Sequence, residues 1–149
     1  MIFSQADISD LPRILALQYE AYQSEADIYQ SSIPPLEQTL SQLEEEYNEG
    51  TIIKVINNDE IIGSVRATIR DGICLIGKLI VKPEYQNQRI GKKLMKEIEE
   101  SYRHAKRMEL FTGHKSIKNI ELYKKLGYRI FKEIHVNDSL TLIYMYKET

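Results

Sequence analysis

The sequence is poor in the residues that form covalent cross-links and metal sites. Its 149 residues include a single cysteine, Cys74, so a disulfide framework is excluded. The three histidines, His104, His114 and His135, are scattered and form no metal-ligand spacing with one another or with that cysteine. We therefore expect a protein that holds no zinc or other metal.

Long apolar runs are also missing. No stretch approaches the roughly 18 apolar residues of a membrane-spanning helix, and no secretory signal opens the chain. Internal repeats, low-complexity tracts and linker-like segments are absent as well. A chain of this length buries roughly 68–70% of its unfolded surface. We therefore expect one cytoplasmic domain that spans residues 1–149 and has no membrane contact.

Positive charge is almost missing from the first third of the chain. Residues 1–50 hold one basic residue and ten acidic residues, a net charge of −9, whereas residues 51–149 carry +7. Such a split within one domain predicts one surface that attracts cations and another that attracts anions. The alternative is that both segments only present solvated helix faces.

The spacing of apolar residues predicts two helices followed by alternating strands and helices. Asp7 and Asp10 have capping spacing before a helix whose apolar stripe runs from Leu11 to Tyr22; the pattern breaks over Ser24–Pro35. A second helix then runs from Pro34-Pro35 to Gly50. Strands are predicted at 2–3, 51–56, 60–70, 73–81, 108–112, 128–136 and 140–146, and further helices at 88–102 and 116–126.

This order, βααβββαβαββ, predicts an α/β sandwich around a mixed, mostly antiparallel central sheet. Tight-turn signals at Asn57-Asn58-Asp59 and Asp71-Gly72 join three consecutive antiparallel strands. The strand–helix–strand unit over 73–112 requires a right-handed parallel crossover. The last two strands form a closing hairpin.

The loop after the strand at 73–81 has the composition of an anion site. Gln86-Asn87-Gln88-Arg89-Ile90-Gly91-Lys92 leads from a strand into a helix, where the first main-chain N–H groups lack helical partners. These groups and the helix dipole suit a phosphate or diphosphate, and Gly91 allows close approach. Arg89, Lys92 and Lys93 add positive potential. A capped helix with basic residues in its first turn would explain the same pattern without a ligand.

A second polar pair lies on the helix predicted at 116–126. Asn119 and Tyr123 are four residues apart and therefore share one helical face. An amide and a phenol on one face are able to grip and protonate a ligand. Taken singly, Tyr123 is equally explained as a packed aromatic residue and Asn119 as a surface residue.

Together, these two segments resemble the GNAT superfamily of acyl-CoA-dependent N-acyltransferases, and the resemblance covers nearly the whole chain. The family's Gln/Arg-x-x-Gly-x-Gly/Ala signature is matched at Gln86 and Gly91. Arg89 occupies the position at which the signature has its first glycine. The resemblance implies acetyl-CoA as co-substrate and assigns its binding to main-chain and side-chain groups of Leu79, Ile80, Val81, Gln86, Asn87, Gln88, Arg89, Ile90, Gly91, Lys92 and Asn119. It makes Tyr123 the general acid.

The same resemblance implies direct transfer of the acetyl group to a primary amine, without an acyl-enzyme. In the family the N-terminal helices roof the acceptor pocket, so Glu20, Glu25 and Asp27 become acceptor-binding candidates, and any of the three could accept the amine's proton. An acidic roof favours a cationic acceptor. Family members often dimerise, so a homodimer is compatible with the resemblance.

Three other functions are alternatives to N-acetyl transfer. A nucleotide-binding α/β enzyme would require a Gly-x-Gly-x-x-Gly or P-loop fingerprint, and neither occurs. A non-catalytic acyl-CoA-binding sensor or interaction module on the same fold would keep the loop but would not need Tyr123. Nucleic-acid binding through Arg103, Lys106 and Arg107 is disfavoured by the pI of about 6.0 and by the absence of an aromatic-basic pattern.

Overall fold

The computed structural model describes residues 1–149 and contains seven strands and five α-helices. The strands are β1 (Ile2–Gln5), β2 (Thr51–Asn57), β3 (Glu60–Arg70), β4 (Ile73–Val81), β5 (Arg107–Gly113), β6 (Arg129–Asn137) and β7 (Leu140–Glu148). The helices are α1 (Leu11–Tyr29), α2 (Pro34–Glu37), α3 (Leu40–Glu49), α4 (Ile90–Ser101) and α5 (Ile117–Lys125). Short 3₁₀ turns at Ile8–Asp10 and Pro83–Tyr85 precede α1 and α4.

All seven strands form one sheet in the order β1-β2-β3-β4-β5-β7-β6. Only β4 and β5 are parallel, and every other neighbouring pair is antiparallel. The predicted α/β class and mixed, mostly antiparallel sheet are confirmed. The closing hairpin is also present, with β7 inserted between β5 and β6.

Two tight turns explain why the strands around β3 begin and end where predicted. Asn58 and Asp59 have φ of 52° and 65°, and Asp71 and Gly72 have φ of 53° and 80°. Positive φ at two successive residues is the conformation of the hairpin turns that Asn, Asp and Gly favour. The turn residues therefore fix the register of β2, β3 and β4.

The N-terminal helices differ from the prediction in two ways. The helix expected to break at Ser24 continues as α1 to Tyr29, and it ends where Gln30 takes a left-handed conformation with φ of 54°. The second helix is divided at Gln38-Thr39, because the Thr39 side chain accepts from the Gln42 main chain and Gln42 reciprocates, which starts α3 anew.

The sheet is packed differently on its two faces. On one face, α4 supplies Leu94, Met95 and Ile98 to the larger core. On the other face, α1 supplies Leu11 and Ile14 to a second, smaller core that also includes Leu43 of α3 and Ile80 of β4. None of the helices combines the length and the apolar composition that a membrane span requires.

A buried ion pair fixes the start of α1 to the sheet. The Lys54 ammonium lies 2.6 Å from the Asp10 carboxylate, and the two side chains are 11% and 4% exposed. Asp10 also accepts from the Asp7 main chain at 2.7 Å and from Arg13 at 2.9 Å. Burial acts to raise the pKa of Asp10, but the hydrogen bonds from Lys54 and Asp7 and the charge of Lys54 outweigh burial and hold that pKa below its ordinary value.

We expect Asp10→Asn to destabilise the protein by about 3–5 kcal/mol, because the change leaves the Lys54 ammonium buried without a counterion. Since the folded-state pKa lies below the unfolded value, the stabilisation by Asp10 is complete above about pH 4 and lost as the pH falls further. Urea unfolding at pH 7 and pH 3 measures both effects. Arg13→Ala, at a side chain 56% exposed, should cost under about 1 kcal/mol. An equal loss in both variants would contradict the assignment.

Candidate functional site

The two parallel strands separate soon after they begin to pair. Main-chain partners between β4 and β5 are limited to Ile73–Arg107, Cys74–Met108 and Leu75–Glu109. From Ile76 to Val81, β4 is therefore paired only with β3, and its opposite edge faces a gap. Main-chain N–H and C=O groups along such an edge are available to an extended ligand.

A bulge in β4 lies beside this gap. Arg66 of β3 is opposite Gly77, whereas Ser64 is opposite Ile80, so two residues of β4 are opposite one of β3. Lys78, inside this bulge, has φ of 52°. The bulge changes the direction of β4 where it should continue beside β5.

The turn from β4 into α4 presents a row of unused main-chain donors. The N–H groups of residues 87–92 donate to no group in the protein, whereas the preceding Gln86 N–H reaches the Pro83 carbonyl and the following Lys93 N–H reaches Arg89. Residues Gln86–Arg89 are exposed. Unpaired N–H groups at the start of a twelve-residue helix form a site suited to a phosphate or diphosphate.

The local conformation explains how arginine replaces glycine in this turn. Arg89 precedes the helix with φ of 62°, and Asn87 has φ of 65°. Both residues thus take the left-handed conformation that glycine adopts without strain. The Arg89 side chain makes no hydrogen bond or ion pair and is exposed, so its charge adds to the positive end of the helix dipole.

Gly91 lies between the turn and the gap. A methyl group placed on it would lie 3.6 Å from Leu122 of α5 and 3.8 Å from Leu79 of β4, which are ordinary contacts. Packing within the chain therefore does not require glycine there. The Gln86 side chain, which donates to the Val81 carbonyl at 3.2 Å, holds the turn against the end of β4.

Helices from opposite faces of the sheet meet at the gap. Tyr123 of α5 is 7% exposed. Its hydroxyl makes no hydrogen bond within the protein and keeps some contact with solvent. Burial raises the pKa of Tyr123, and the nearby Tyr22 and Glu25 of α1 raise it further. The pKa of Tyr22 is likewise raised, first by burial. Both phenols stay protonated at neutral pH, so each is able to donate a proton.

Glu25 is joined to the start of α5 by hydrogen bonds. Its carboxylate accepts from the Ser116 hydroxyl at 2.5 Å and from the Asn119 amide at 3.4 Å. Tyr29, one helical turn later, bonds with Ser116 at 2.9 Å and accepts from the Lys115 main chain at 3.0 Å. These contacts bring Glu25, Asn119 and Tyr123 into one group.

The other two acidic candidates lie elsewhere. Glu20 is exposed and lies close enough to Lys82 to influence that residue's pKa, and Asp27 is exposed and accepts from Gln23 at 3.3 Å. Only Glu25, which is half-buried, is in contact with α5. The structure thus identifies which of the three candidate carboxylates contacts α5, a choice that the sequence left open.

Two further features bear on the chemistry of the site. Burial raises the pKa of the Cys74 thiol to about 12, so this cysteine is a thiol and not a thiolate at neutral pH. No group of three or more His, Cys, Asp or Glu side chains is positioned to hold a metal ion.

A buried polar cluster fixes α1 and α3 above β3. The Arg66 guanidinium is 5% exposed and contacts Gln18 of α1, Gln38 at 3.2 Å and Glu46 of α3 at 2.5 Å. Lys78 of the bulge lies 3.8 Å from the same Glu46 carboxylate. The position of α1, which carries Tyr22 and Glu25, is therefore coupled to β3 and to the bulge.

Sequence reasoning missed Tyr22, Tyr29 and Ser116. Tyr22 was assigned only to the apolar stripe of the first helix, and Ser116 only to the first position of the helix predicted at 116–126. Their contacts join positions 87 and 91 residues apart in the chain, as for Tyr29–Ser116 and Glu25–Ser116. The one available signal was that the apolar stripe of α1 is unusually rich in tyrosine at its C-terminal end.

Comparison with protein families identifies one match. The acetyltransferase (GNAT) family model matches residues 12–128, which extend from the first turn of α1 to the start of β6. No curated protein sequence matches the chain.

Solved structures with the same fold cover the whole chain. The ribosomal-protein-S18-alanine N-acetyltransferase of Escherichia coli is 15% identical with a TM-score of 0.83, covering 99% of this chain and 92% of the other. The PaiA N-acetyltransferase of Thermoplasma acidophilum, solved with coenzyme A, is 20% identical with a TM-score of 0.82 and full coverage of both chains. A GNAT-family acetyltransferase of Staphylococcus aureus Mu50 is 21% identical with a TM-score of 0.81, covering 99% and 98%. At these identities the likeness establishes the fold.

Proposed function

The chain belongs to the GNAT acetyltransferase family, and we propose that it transfers the acetyl group of acetyl-CoA directly to the nitrogen of a primary amine. The observation that carries this proposal is the row of unused N–H groups at residues 87–92, directly beside the gap between β4 and β5. An anion site and an open strand edge in succession suit a ligand with a diphosphate followed by an extended arm.

The residues present fit the coenzyme. The N–H groups of residues 87–92 would hold the diphosphate, with Arg89 and Lys92 adding positive charge. The amide-containing arm would run along the free edge of β4 at Leu79–Val81, with Asn119 of α5 on the far side. A methyl group at Gly91 would already contact Leu79 and Leu122, so a larger side chain there would crowd the edge of β4 along which that arm would run.

Transfer of the acetyl group requires a general acid that protonates the leaving sulfur and a general base that accepts a proton from the amine. The amine nitrogen attacks the thioester carbonyl, the carbon–sulfur bond breaks, and the sulfur leaves as a thiol after it gains a proton. Tyr123 would supply that proton, because a phenol is protonated at neutral pH and the Tyr123 hydroxyl makes no hydrogen bond within the protein. A main-chain N–H of Leu79–Val81 would polarise the carbonyl oxygen.

Glu25 would accept the proton that the attacking amine loses. It is the only one of the three acidic candidates that reaches α5, and Ser116 and Asn119 orient its carboxylate. A carboxylate at the mouth of the gap and the −9 charge of residues 1–50 support a cationic acceptor. With one buried thiol and no disulfide, the chain suits a reducing compartment, and we place it in the cytoplasm.

We expect Gly91→Leu to weaken coenzyme A binding by at least about tenfold, because the side chain fills the space between Leu79 and Leu122. The free energy of unfolding should stay equal or rise, since leucine favours a helix by up to about 1 kcal/mol over glycine. Calorimetric titration with coenzyme A and urea unfolding measure the two effects. Lys96→Leu, at an exposed position of the same helix, is the control for binding. Unchanged affinity in Gly91→Leu would contradict the placement of the arm.

We expect Tyr123→Phe to lower kcat by about 10²–10⁴-fold, because the leaving sulfur loses its proton donor. Coenzyme A affinity should be unchanged, since the phenol makes no hydrogen bond in the free protein. Release of free thiol from acetyl-CoA, tested against a panel of polyamines, amino acids, aminoglycosides and peptides, measures the rate. Tyr144→Phe on β7 should retain full activity. Full activity in Tyr123→Phe would remove the assignment, and tight coenzyme binding without turnover of any amine would favour a sensor.

We expect Glu25→Gln to lower kcat/KM for amines by about 10²–10⁴-fold through loss of the proton acceptor. The matched control is Asp27→Asn, which removes an exposed charge two residues away and should stay within about twofold. Wild-type protein should also prefer a diamine over a monoamine of equal length, because the diamine carries one more positive charge at neutral pH. Equal losses in the two variants, or a preference for the monoamine, would contradict the role given to Glu25.

A further inference from the structure

The bulge of β4 carries a lysine on the side of the sheet where we place the acceptor amine. Lys78 has φ of 52° and belongs to the bulge that turns β4 away from β5. Its ammonium lies 3.8 Å from the Glu46 carboxylate of α3, so the side chain points to the face that the N-terminal helices cover. The fold therefore holds a primary amine of its own beside the gap.

An acidic groove connects Lys78 with solvent. The groove has a volume of about 520 Å³ and is lined by residues between Pro34 and Glu49 and by Lys78, its one basic residue. Four of the lining residues are glutamates: Glu37, Glu45, Glu46 and Glu49. The Lys78 side chain is 26% exposed, so its nitrogen is accessible to water although most of the side chain is covered.

Lys78 is held less firmly than the lysine at the end of the same strand. Lys82 donates to Glu60 at 2.8 Å, and this hydrogen bond is the main reason why the pKa of Lys82 is raised. Lys78 makes no hydrogen bond, because Arg66 takes the Glu46 carboxylate at 2.5 Å. Burial is the largest influence on the pKa of Lys78 and lowers it; Glu46 opposes this effect and Arg66 adds to it. A buried lysine beside another cation is more often neutral and therefore nucleophilic.

The Lys78 amine is also close in the chain to the groups that we assign to the thioester. The N–H groups proposed to polarise the thioester carbonyl belong to Leu79–Val81, which begins at the next residue. Successive Cα atoms are only about 3.8 Å apart, so a lysine side chain is long enough to reach a carbonyl held there. Arg66 influences the pKa of both Lys78 and Tyr22, and Tyr22 influences that of Tyr123. Lys78 thus lies in the same electrostatic neighbourhood as the proposed general acid.

We propose that the protein acetylates its own Lys78, a self-modification that rests on the proposed transfer from acetyl-CoA. The Lys78 ammonium first loses a proton to solvent in the groove. The neutral nitrogen attacks the thioester carbon, and the nitrogen–carbon bond forms as the carbon–sulfur bond breaks. The sulfur leaves as a thiol with the proton of Tyr123, which regains one from solvent, and the nitrogen releases its surplus proton to solvent. The products are acetyl-lysine at position 78 and free coenzyme A.

The test is incubation of the wild-type chain with acetyl-CoA and no amine. We expect the mass to rise by one acetyl group, which peptide mapping places on Lys78, and one thiol to be released per chain in a single burst. At saturating acetyl-CoA the rate per chain should stay constant over a roughly hundredfold range of protein concentration, because both reactants are held by one chain. Thiol release with added amines is measured in parallel.

Three variants isolate the reacting nitrogen. Lys78→Arg keeps the positive charge beside Glu46 but removes the acceptor, so the burst and the mass gain should be lost. The matched control is Lys82→Arg, which should retain both. Tyr123→Phe should slow the burst about 10²–10⁴-fold. Thermal unfolding shows whether each variant is folded, and the peptide map of the wild-type chain needs no variant at all.

An unmodified Lys78 in protein that does release thiol with an added amine would overturn this inference and leave the proposed function intact. Acetyl groups that appear equally fast on exposed lysines such as Lys96 and Lys118, or a burst that persists in Lys78→Arg, would also overturn it. So would a rate per chain that rises with protein concentration, because one chain would then modify another. Protein that releases no thiol with or without amines would overturn both proposals.

Discussion

The separation of β4 from β5 is the constraint on which the rest of the site depends. Parallel strands that are joined through a helix would ordinarily stay paired along their length, yet here the pairing ends at Leu75 and Glu109. The bulge around Lys78 turns β4 away, and the edge it leaves is free over Ile76–Val81. Both strands then lead into helices, so the N-termini of α4 and α5 lie at the same end of the gap, where open α/β sheets bind ligands.

The gap stays open because both faces of the sheet are fixed independently of it. On one face, α4 is held by the largest apolar core. On the other, Arg66 and the Asp10–Lys54 pair attach α1 and α3 to β2 and β3. Buried charge pairs of this kind contribute little net stability, but they define the position of α1 and α3. Removing one partner of either pair would leave the other charge buried without a counterion. The contacts of Glu25 with Ser116 and Asn119 follow from that position.

The parts of this structure that depend on local chemistry were predictable, and those that depend on distant contacts were not. Asn58-Asp59 and Asp71-Gly72 determine their turns locally, so β3 and β4 were predicted to the residue. The continuation of α1 past Ser24 was missed, because it depends on Ala26 and Tyr29 packing against Ile33. In the site, the loop at residues 86–92 could be located from its composition, whereas the choice of Glu25 depended on a hydrogen bond to Ser116, 91 residues away.

The main-chain N–H groups of residues 87–92, to which we assign the diphosphate of coenzyme A, are observed directly by amide NMR. On titration of ¹⁵N-labelled protein with coenzyme A, we expect the amide signals of residues 87–92 to shift together and to saturate with one affinity. The 3′,5′-bisphosphate nucleotide alone, without the diphosphate and its arm, should shift them less. Amide signals that remain unmoved at saturating coenzyme A, or shifts confined to other elements, would contradict the assignment of the diphosphate to this turn.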